Sequence, residues 1–174
     1  IGSGILVLND LTVGGSANSI FNVNTNDTVL EVRRDVQISS NGTLEASNSS
    51  ALTVQRDWNN DGTFNGNSGI VRFNGTGSSA ISAGNSSFSN VEIDGTGNYS
   101  VIENATSTGG WSLINHTNFT VASSTTLSVG GTFLNNIAGA NTTFTGSNLF
   151  LFGTGTYEIN DSSTDDVYET LSVG

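Results

Sequence analysis

The stretch DWNNDGTF at 57–64 carries the residue types that could bind a cation. Asp57, Asn59 and Asp61 alternate with other residues and Gly62 follows, which is the D-x-N-x-D-G opening of a calcium-binding loop. The complete loop requires Glu at its twelfth position, where this chain has Ser68, and no helix is expected beside it. The alternative is a plain Asn-Asp-Gly turn, so Ca²⁺ is a weak candidate and no other cofactor is expected.

A second group of carboxylates lies near the end of the sequence. Five acids fall within twelve residues: Glu158, Asp161, Asp165, Asp166 and Glu169. They could clamp calcium between neighbouring repeats, or form a solvated loop. Paired carboxylates also serve glycoside hydrolysis, but no spacing here sets their separation. His116 is the only histidine and cysteine is absent, so catalytic triads and His or Cys metal sites are nearly excluded. We therefore expect no enzyme, with a polysaccharide-active β-helix enzyme as a remote alternative.

Asn-X-Ser/Thr sequons are frequent. They begin at Asn26, Asn41, Asn48, Asn74, Asn85, Asn98, Asn104, Asn115, Asn118, Asn141 and Asn160. In a secreted protein of a glycosylating organism many would carry glycans; otherwise they are turn asparagines. Asn41, Asn74 and Asn98 are favoured because they lie in predicted turns.

Aromatic side chains offer one further chemistry. Trp58 and Trp111 could stack on sugars, although a lone tryptophan in such a repeat more often caps a coil or packs against the turn below it. His116, in INHTNF, is expected to face solvent.

Composition limits the partners. The net charge is −11 and only four residues are Lys or Arg, which argues against nucleic acid and anionic membrane surfaces. No apolar run approaches the roughly 20 residues that span a bilayer, so membrane insertion is not expected. Ser, Thr, Asn and Gly dominate the composition, so hydration of the surface must depend mainly on hydroxyl and amide groups, as in secreted scaffolds. The sequence reads as an excised or processed part of a longer protein.

Strand-like alternation recurs along the whole chain and no window shows helical periodicity, which predicts an all-β protein. The alternating runs are 5–13, 28–38, 51–54, 69–73, 90–93, 118–121, 126–129 and 149–152. Turn clusters such as SSNG, NNDG and DGTG separate them.

The pattern repeats at a long interval. LNDLTVGG at 8–15 returns as FSNVEIDG and as YETLSVG, so that Val13, Ile93 and Val173 stand 80 residues apart and should point inward. This divides the chain into 1–15, the end of a preceding repeat, and two units at 16–95 and 96–174. A right-handed parallel β-helix, with about four coils to each unit, is favoured over tandem small β-sandwiches.

The run DWNNDGTFNGNSGIVRFNGTGSSAISAGNSSFSNVEIDG resembles the recurrent unit of repetitive, Gly/Asn/Thr-rich parallel β-solenoid surface proteins of microbes, which are adhesin-like. GGWSLINHTNFTVASSTTLSVGGTFLNNIAGANTTFTGSNLFLFGTGTYEIN is similar to a second unit, although GTFLNN at 131–136 lacks the preceding Trp. The resemblance implies a cell-surface location and no catalytic residues.

Two hypotheses for function follow. The first is an extracellular shaft or filament, in which coils of neighbouring repeats or subunits stack end to end, with GILVLNDLTV pairing with a neighbour as a continued coil or as a donated strand. The partner is then the protein itself, and the role is cell attachment. The second is a carbohydrate-binding adhesin module that binds surface glycans through Trp58, Trp111 and rows of Asn and Thr.

Overall fold

The computed structural model describes residues 4–135, 137, 141–154, 157–159 and 166–174. These residues form a parallel β-solenoid of about seven turns, with about 22 residues in each turn and no helix. The predicted all-β parallel β-helix is therefore confirmed, and the sandwich alternative is wrong. None of the described residues belongs to a helix long and apolar enough to cross a membrane.

Every turn of the solenoid begins with a strand on the same side, which we call face 1. Its eight strands pair in parallel, in the order in which they follow along the chain. They are β1 (Ile5–Val7), β4 (Leu30–Val32), β7 (Leu52–Val54), β10 (Ile70–Phe73), β12 (Asn90–Asp94), β15 (Trp111–Asn115), β18 (Phe133–Asn135) and β20 (Tyr157–Ile159). We number the coils 1 to 8 by these strands.

The other strands form two further faces. Face 2 contains β2 (Leu11–Val13), β5 (Val36–Ile38), β8 (Trp58–Asn60), β11 (Ser78–Ser82), β13 (Asn98–Val101) and β16 (Asn118–Val121). Face 3 contains β3 (Ser19–Asn22), β6 (Gly42–Glu45), β9 (Thr63–Asn65), β14 (Ala105–Ser107) and β17 (Thr126–Val129). In coil 4, face 3 is reduced to a bridge from Phe88 to Ser107.

The last two coils have longer strands that continue from face 2 onto face 3. These are β19 (Asn141–Leu151) and β21 (Val167–Val173). The first part of β19 pairs with β16 and its second part with β17. β21 pairs in parallel with both parts of β19, with a register shift between Phe144 and Asn148. The three-faced cross-section is thus kept to the end.

Alternation along each strand decides what the solenoid encloses. In β4, Leu30 and Val32 are buried while Glu31 between them faces outward. Because successive residues of a strand point to opposite sides, every second side chain enters the interior. The inward side chains of all coils from Val13 to Leu151 form one continuous hydrophobic cluster.

Aromatic rings fill much of this interior. The ring of Trp58 packs edge-on against that of Phe64, with 4.8 Å between ring centroids, and it contacts Phe73 in the next coil at 6.3 Å. Edge-to-face pairs at such distances contribute about 0.5–1.5 kcal/mol each beyond the burial of their surface. The rings therefore join successive coils as well as filling each one.

The 80-residue interval is not the period at which residues stack. Val13 lies on face 2, Ile93 on face 1 and Val173 on face 3. At about 22 residues per turn, 80 residues make about three and two-thirds turns, so each recurrence arrives one face away from the last. The pattern shared by these positions is that of a strand and its corner. The division into units at 16–95 and 96–174 stays a prediction.

Two of the alternating runs are interrupted. The run 5–13 is split into β1 and β2 by a corner at 8–10, and 28–38 is split into β4 and β5 by a corner at 33–35. The inward positions keep the same odd or even numbering on both sides of each corner, so the sequence pattern alone did not reveal the change of face.

Candidate functional site

The C-terminal coil exposes apolar side chains at inward positions. Leu171 stands in register on Leu149, and Val173 on Leu151. Leu149 and Leu151 are 0 % and 2 % exposed, whereas Leu171 and Val173 are 49 % and 69 % exposed. Val13 and Ile93 are buried as expected, but Val173 contacts water because no described coil covers it.

The N-terminal coil shows the same feature. Ile5 pairs with Leu30 at an inward position and is 38 % exposed, whereas Leu30 is fully buried. A cleft of about 240 Å³ opens between β2 and β3 and is lined by Leu11, Val13 and Phe21. GILVLNDLTV thus lies within coil 1, as β1 and β2, and its inner side is only half covered.

Strand edges accompany this exposed apolar surface. Within the described residues, β1, β2 and β3 pair on one side only, with β4, β5 and β6. β20 and β21 likewise pair only with β18 and β19. Backbone N–H and C=O groups on the other side can pair with another strand. Both ends of the solenoid therefore present edges on which a further coil fits.

An aspartate ladder links the coils at the corner between faces 1 and 2. Asp10 Oδ1 accepts the N–H of Asp35 at 3.3 Å, and Asp35 Oδ1 accepts the N–H of Asp57 at 3.2 Å. Asp57 Oδ1 in turn accepts the N–H of Ala80 at 2.9 Å. Arg34 lies 3.5 Å from Asp10. Sequence reasoning missed this ladder, although its members recur at intervals near the coil length.

An asparagine ladder runs along the outside of face 2. Asn118 Nδ2 donates to Asn98 Oδ1 at 2.5 Å, and Asn141 Nδ2 donates to Asn118 Oδ1 at 3.0 Å. Two residues further along each strand, Ser100, Thr120 and Thr143 also stand in register. Three sequons therefore stack on one another and form two parallel polar rows. The coil-length spacing of these motifs was the signal that could have revealed them.

The sequons differ in the exposure of their asparagines and in the hydrogen bonds that the side-chain amides make. Asn41 accepts from the N–H of Gly15 at 3.0 Å and donates to its carbonyl at 2.7 Å, so both ends of its amide are used. Asn104 is exposed, and toward the other described residues it makes one side-chain hydrogen bond, in which its oxygen accepts the N–H of Thr126. Asn26, Asn48, Asn85 and Asn115 are exposed, whereas Asn74 is half-buried. Asn160 lies outside the described residues.

The calcium candidates do not converge. Asp57 precedes β8, Asn59 lies within it and Asp61 follows it, so this segment is a strand and not a loop. Along a strand, Asp57 and Asp61 are separated by about 13 Å, whereas calcium requires its oxygens within about 2.6 Å. Asn59 instead donates to Gln37 at 2.8 Å, and Gln37 donates to Asp61 at 3.2 Å. In the part of the chain that the structure describes, no three His, Cys, Asp or Glu residues are placed to hold a metal ion.

The described members of the acidic segment bind the preceding coil. Asp166 accepts the N–H of Thr142 at 2.7 Å and the side-chain amide of Asn135 at 2.8 Å. Glu169 accepts the N–H of Gly146 at 2.6 Å. Glu158 is exposed on β20, and Asp161 and Asp165 lie outside the described residues. Two of the five carboxylates therefore join coil 7 to coil 8.

Both tryptophans and the histidine are interior residues. Trp58 and Trp111 are 1 % and 0 % exposed, so the interpretation in which they stack on sugars is wrong. They occupy inward strand positions, where their size fills the cross-section of the solenoid. The expectation that His116 faces solvent is also wrong, because the side chain is buried against Phe119. Burial lowers the pKa of His116 to about 4.

Comparison with known proteins adds no relative. No protein-family model, curated protein or solved structure matches this chain.

Proposed function

We propose that this chain is a structural protein of the cell surface that builds an extracellular shaft or filament by end-to-end β-stacking of coils, either between subunits or between repeats, in the service of cell attachment. The observation that carries the proposal is the exposure of inward apolar positions at both ends. Along one column, Leu127 and Leu149 are fully buried and Leu171 is 49 % exposed. A further coil would bury Leu171 as coil 8 buries Leu149.

The direction of the strands favours head-to-tail stacking. All strand pairs between described residues are parallel, so the two ends of the solenoid are different and a copy added to one end continues the same ladder. A contact between unlike ends does not close on itself, and it therefore generates a filament. Burying the apolar surface of one more coil would contribute about 25 cal/mol for each Å² removed from water.

The outer surface suits an extracellular shaft. Outward positions on face 2 carry asparagine and hydroxyl rows, and the charged groups at the corners bind neighbouring coils. Such a surface is hydrated without a high density of charge. The net charge of −11 would keep filaments apart from one another by repulsion.

Electron microscopy and sedimentation of the purified chain test the proposal. We expect unbranched filaments with an axial repeat of about 38 Å per subunit, since eight strand layers are spaced by about 4.8 Å each. Leu171→Lys should abolish them, because stacking would bury an unpaired ammonium group. Ile102→Lys is the matched control, since Ile102 is 50 % exposed but lies on the flank of coil 5. Monomers at the highest attainable concentration, or filaments of the Leu171→Lys variant, would contradict stacking between copies.

A further inference from the structure

Two neighbouring cavities form a groove along the corner between faces 1 and 2. One, of about 440 Å³, lies over Asn98, Ser100 and Thr120 on face 2. The other, of about 400 Å³, lies between Arg33 and the loop 75–78. Arg56 and Ser78 line both cavities. We call the two together the corner groove. Each is within the usual size of a ligand site, and the groove crosses coils 2 to 6, about 19 Å along the solenoid axis.

The floor and walls of the groove are held in place from inside. Tyr99 donates a hydrogen bond from its phenol to the carbonyl of Gly75 at 2.7 Å. Burial raises the pKa of Tyr99 to about 12, so the phenol stays a donor at neutral pH. Gly75 itself packs on the carbonyl of Gln55 so closely that a Cβ would collide with it. The loop 75–78 is thus fixed before any ligand arrives, which reduces the entropy cost of binding.

Polar groups of the lining face outward into the groove. Ser78, Asn98 and Ser100 lie at outward positions of β11 and β13, and Asn74 lines the second cavity. Hydroxyls and side-chain amides offer both hydrogen-bond donors and acceptors. The lining therefore favours a ligand that makes hydrogen bonds along its length.

The charges of the groove are balanced. Arg33 Nε lies 3.2 Å from Glu31 Oε1, and Arg56 Nε lies 3.9 Å from Asp35 Oδ1. The carboxylate-bearing residue Asp57 lines the first cavity. A polyanionic ligand would also be repelled by the protein, whose net charge is −11. An apolar ligand would remove water from the guanidinium and amide groups of the walls without replacing the hydrogen bonds that water makes with them. The groove is therefore suited to an uncharged ligand that both donates and accepts hydrogen bonds.

Hydroxyl groups have this dual character, and a chain of sugars carries them along its length. We infer that the corner groove binds a neutral oligosaccharide, laid along the solenoid axis, with the guanidinium groups of Arg33 and Arg56 and the amides of the asparagines as hydrogen-bonding partners. This site differs from the buried tryptophans and is independent of the coil ends. A shaft with such grooves would bind glycans along its flank.

Isothermal titration calorimetry with neutral hexasaccharides tests the inference. The probes are β-1,4-linked glucose, N-acetylglucosamine and mannose, and α-1,4-linked glucose, each brought to millimolar concentration. We expect at least one to bind, and its binding to shift the amide resonances of residues 75–78 and 98–100. If none of the four binds, the inference is wrong, whatever the chain does in filament assays.

Two matched pairs of variants locate the binding. Ser100→Trp fills the groove and should abolish binding, whereas Thr106→Trp places the same side chain outward on face 3 of the same coil and should leave it unchanged. Arg56→Gln should weaken binding about tenfold, and Arg72→Gln, which removes an equal charge from face 1, should not. Thermal unfolding verifies that each variant is folded. Binding that survives in both Ser100→Trp and Arg56→Gln would overturn the inference.

Discussion

Asn141 donates a hydrogen bond of 3.0 Å from its side-chain amide to the side-chain oxygen of Asn118, one coil earlier on the same face. Asn118 in turn donates a hydrogen bond of the same kind to the side-chain oxygen of Asn98. A side chain that both donates and accepts can continue a ladder of side-chain hydrogen bonds along a parallel stack, whereas a carboxylate only accepts and must pair with backbone N–H groups, as in the aspartate ladder. The asparagine content of the chain is thereby connected to the stability of the stack.

Removal of the central member of the asparagine ladder should destabilise the protein. Asn118→Ala removes two hydrogen bonds at a half-exposed site, so we expect a loss of about 1–2 kcal/mol in the free energy of unfolding. Urea denaturation measures it. Asn115→Ala is the control, because Asn115 is exposed and its side chain makes no hydrogen bond with another residue in the described ranges. Equal denaturation midpoints for the two variants would show that the ladder contributes nothing.

The occupancy of the sequons should follow the contacts of their amides. A glycan replaces one hydrogen of Nδ2, and at Asn41 that would disrupt the pair of bonds to Gly15. Asn48 and Asn104 are exposed, and the Nδ2 of each donates no hydrogen bond to any part of the chain that the structure describes. In a glycosylating host we expect high occupancy at Asn48 and Asn104 and low occupancy at Asn41, measured by mass spectrometry of glycopeptides. Full occupancy at Asn41 would contradict this order.

The two glycines of the Gly-Thr-Gly corner at 75–77 should respond differently to the same substitution. A Cβ on Gly75 would collide with the carbonyl of Gln55, whereas a Cβ on Gly77 meets nothing within 4 Å. Gly75→Ala should therefore lower the free energy of unfolding by about 1–3 kcal/mol, as overpacking does, and Gly77→Ala should be neutral or slightly stabilising. Thermal unfolding of the pair measures the difference. If the two variants unfold at the same temperature, the coils are not packed as closely here as the structure has them.

The fold could be predicted from the sequence because its main determinant is local. Alternation of inward and outward residues is visible in any strand, as in Leu30, Glu31 and Val32, and parallel stacking then follows from short strands separated by corners. The corners were harder to place. The buried residues of β4 and β5, at 30, 32, 36 and 38, keep the same even numbering although the chain turns from face 1 to face 2 at 33–35, so the pattern does not distinguish a corner from a strand.

The contacts between coils could not be predicted, since they depend on register. Asp10, Asp35 and Asp57 are 25 and 22 residues apart, so their spacing is near the length of a coil but is too irregular to identify which residues are neighbours. The length of each corner decides which residues meet, and steps along face 1 vary from 19 residues, for Leu52 to Val71, to 25 residues, for Ile5 to Leu30. The corner groove depends on the same variable lengths, which explains why sequence reasoning did not find it.

His116 should make the stability of the protein depend on pH in weakly acidic solution. Burial lowers its pKa to about 4, against 6.5 in the unfolded chain, because the interior disfavours the charged ring. Between these two values the unfolded state binds the proton and the folded state does not. The free energy of unfolding is therefore unaffected above pH 6.5 and falls as the pH decreases towards 4, by about 3 kcal/mol in total.

Proton NMR measures this pKa directly, because the chain has a single histidine and the ring signal needs no assignment. We expect the signal of the folded protein to titrate near pH 4. His116→Phe keeps an aromatic ring beside Phe119 and removes two buried nitrogens that have no partner among the described residues. In this variant the free energy of unfolding should no longer decrease between pH 6.5 and 4 on account of the histidine. Any decrease that the carboxylates cause at lower pH should remain. A ring that titrates near 6.5 in the folded protein would mean that His116 is in contact with water.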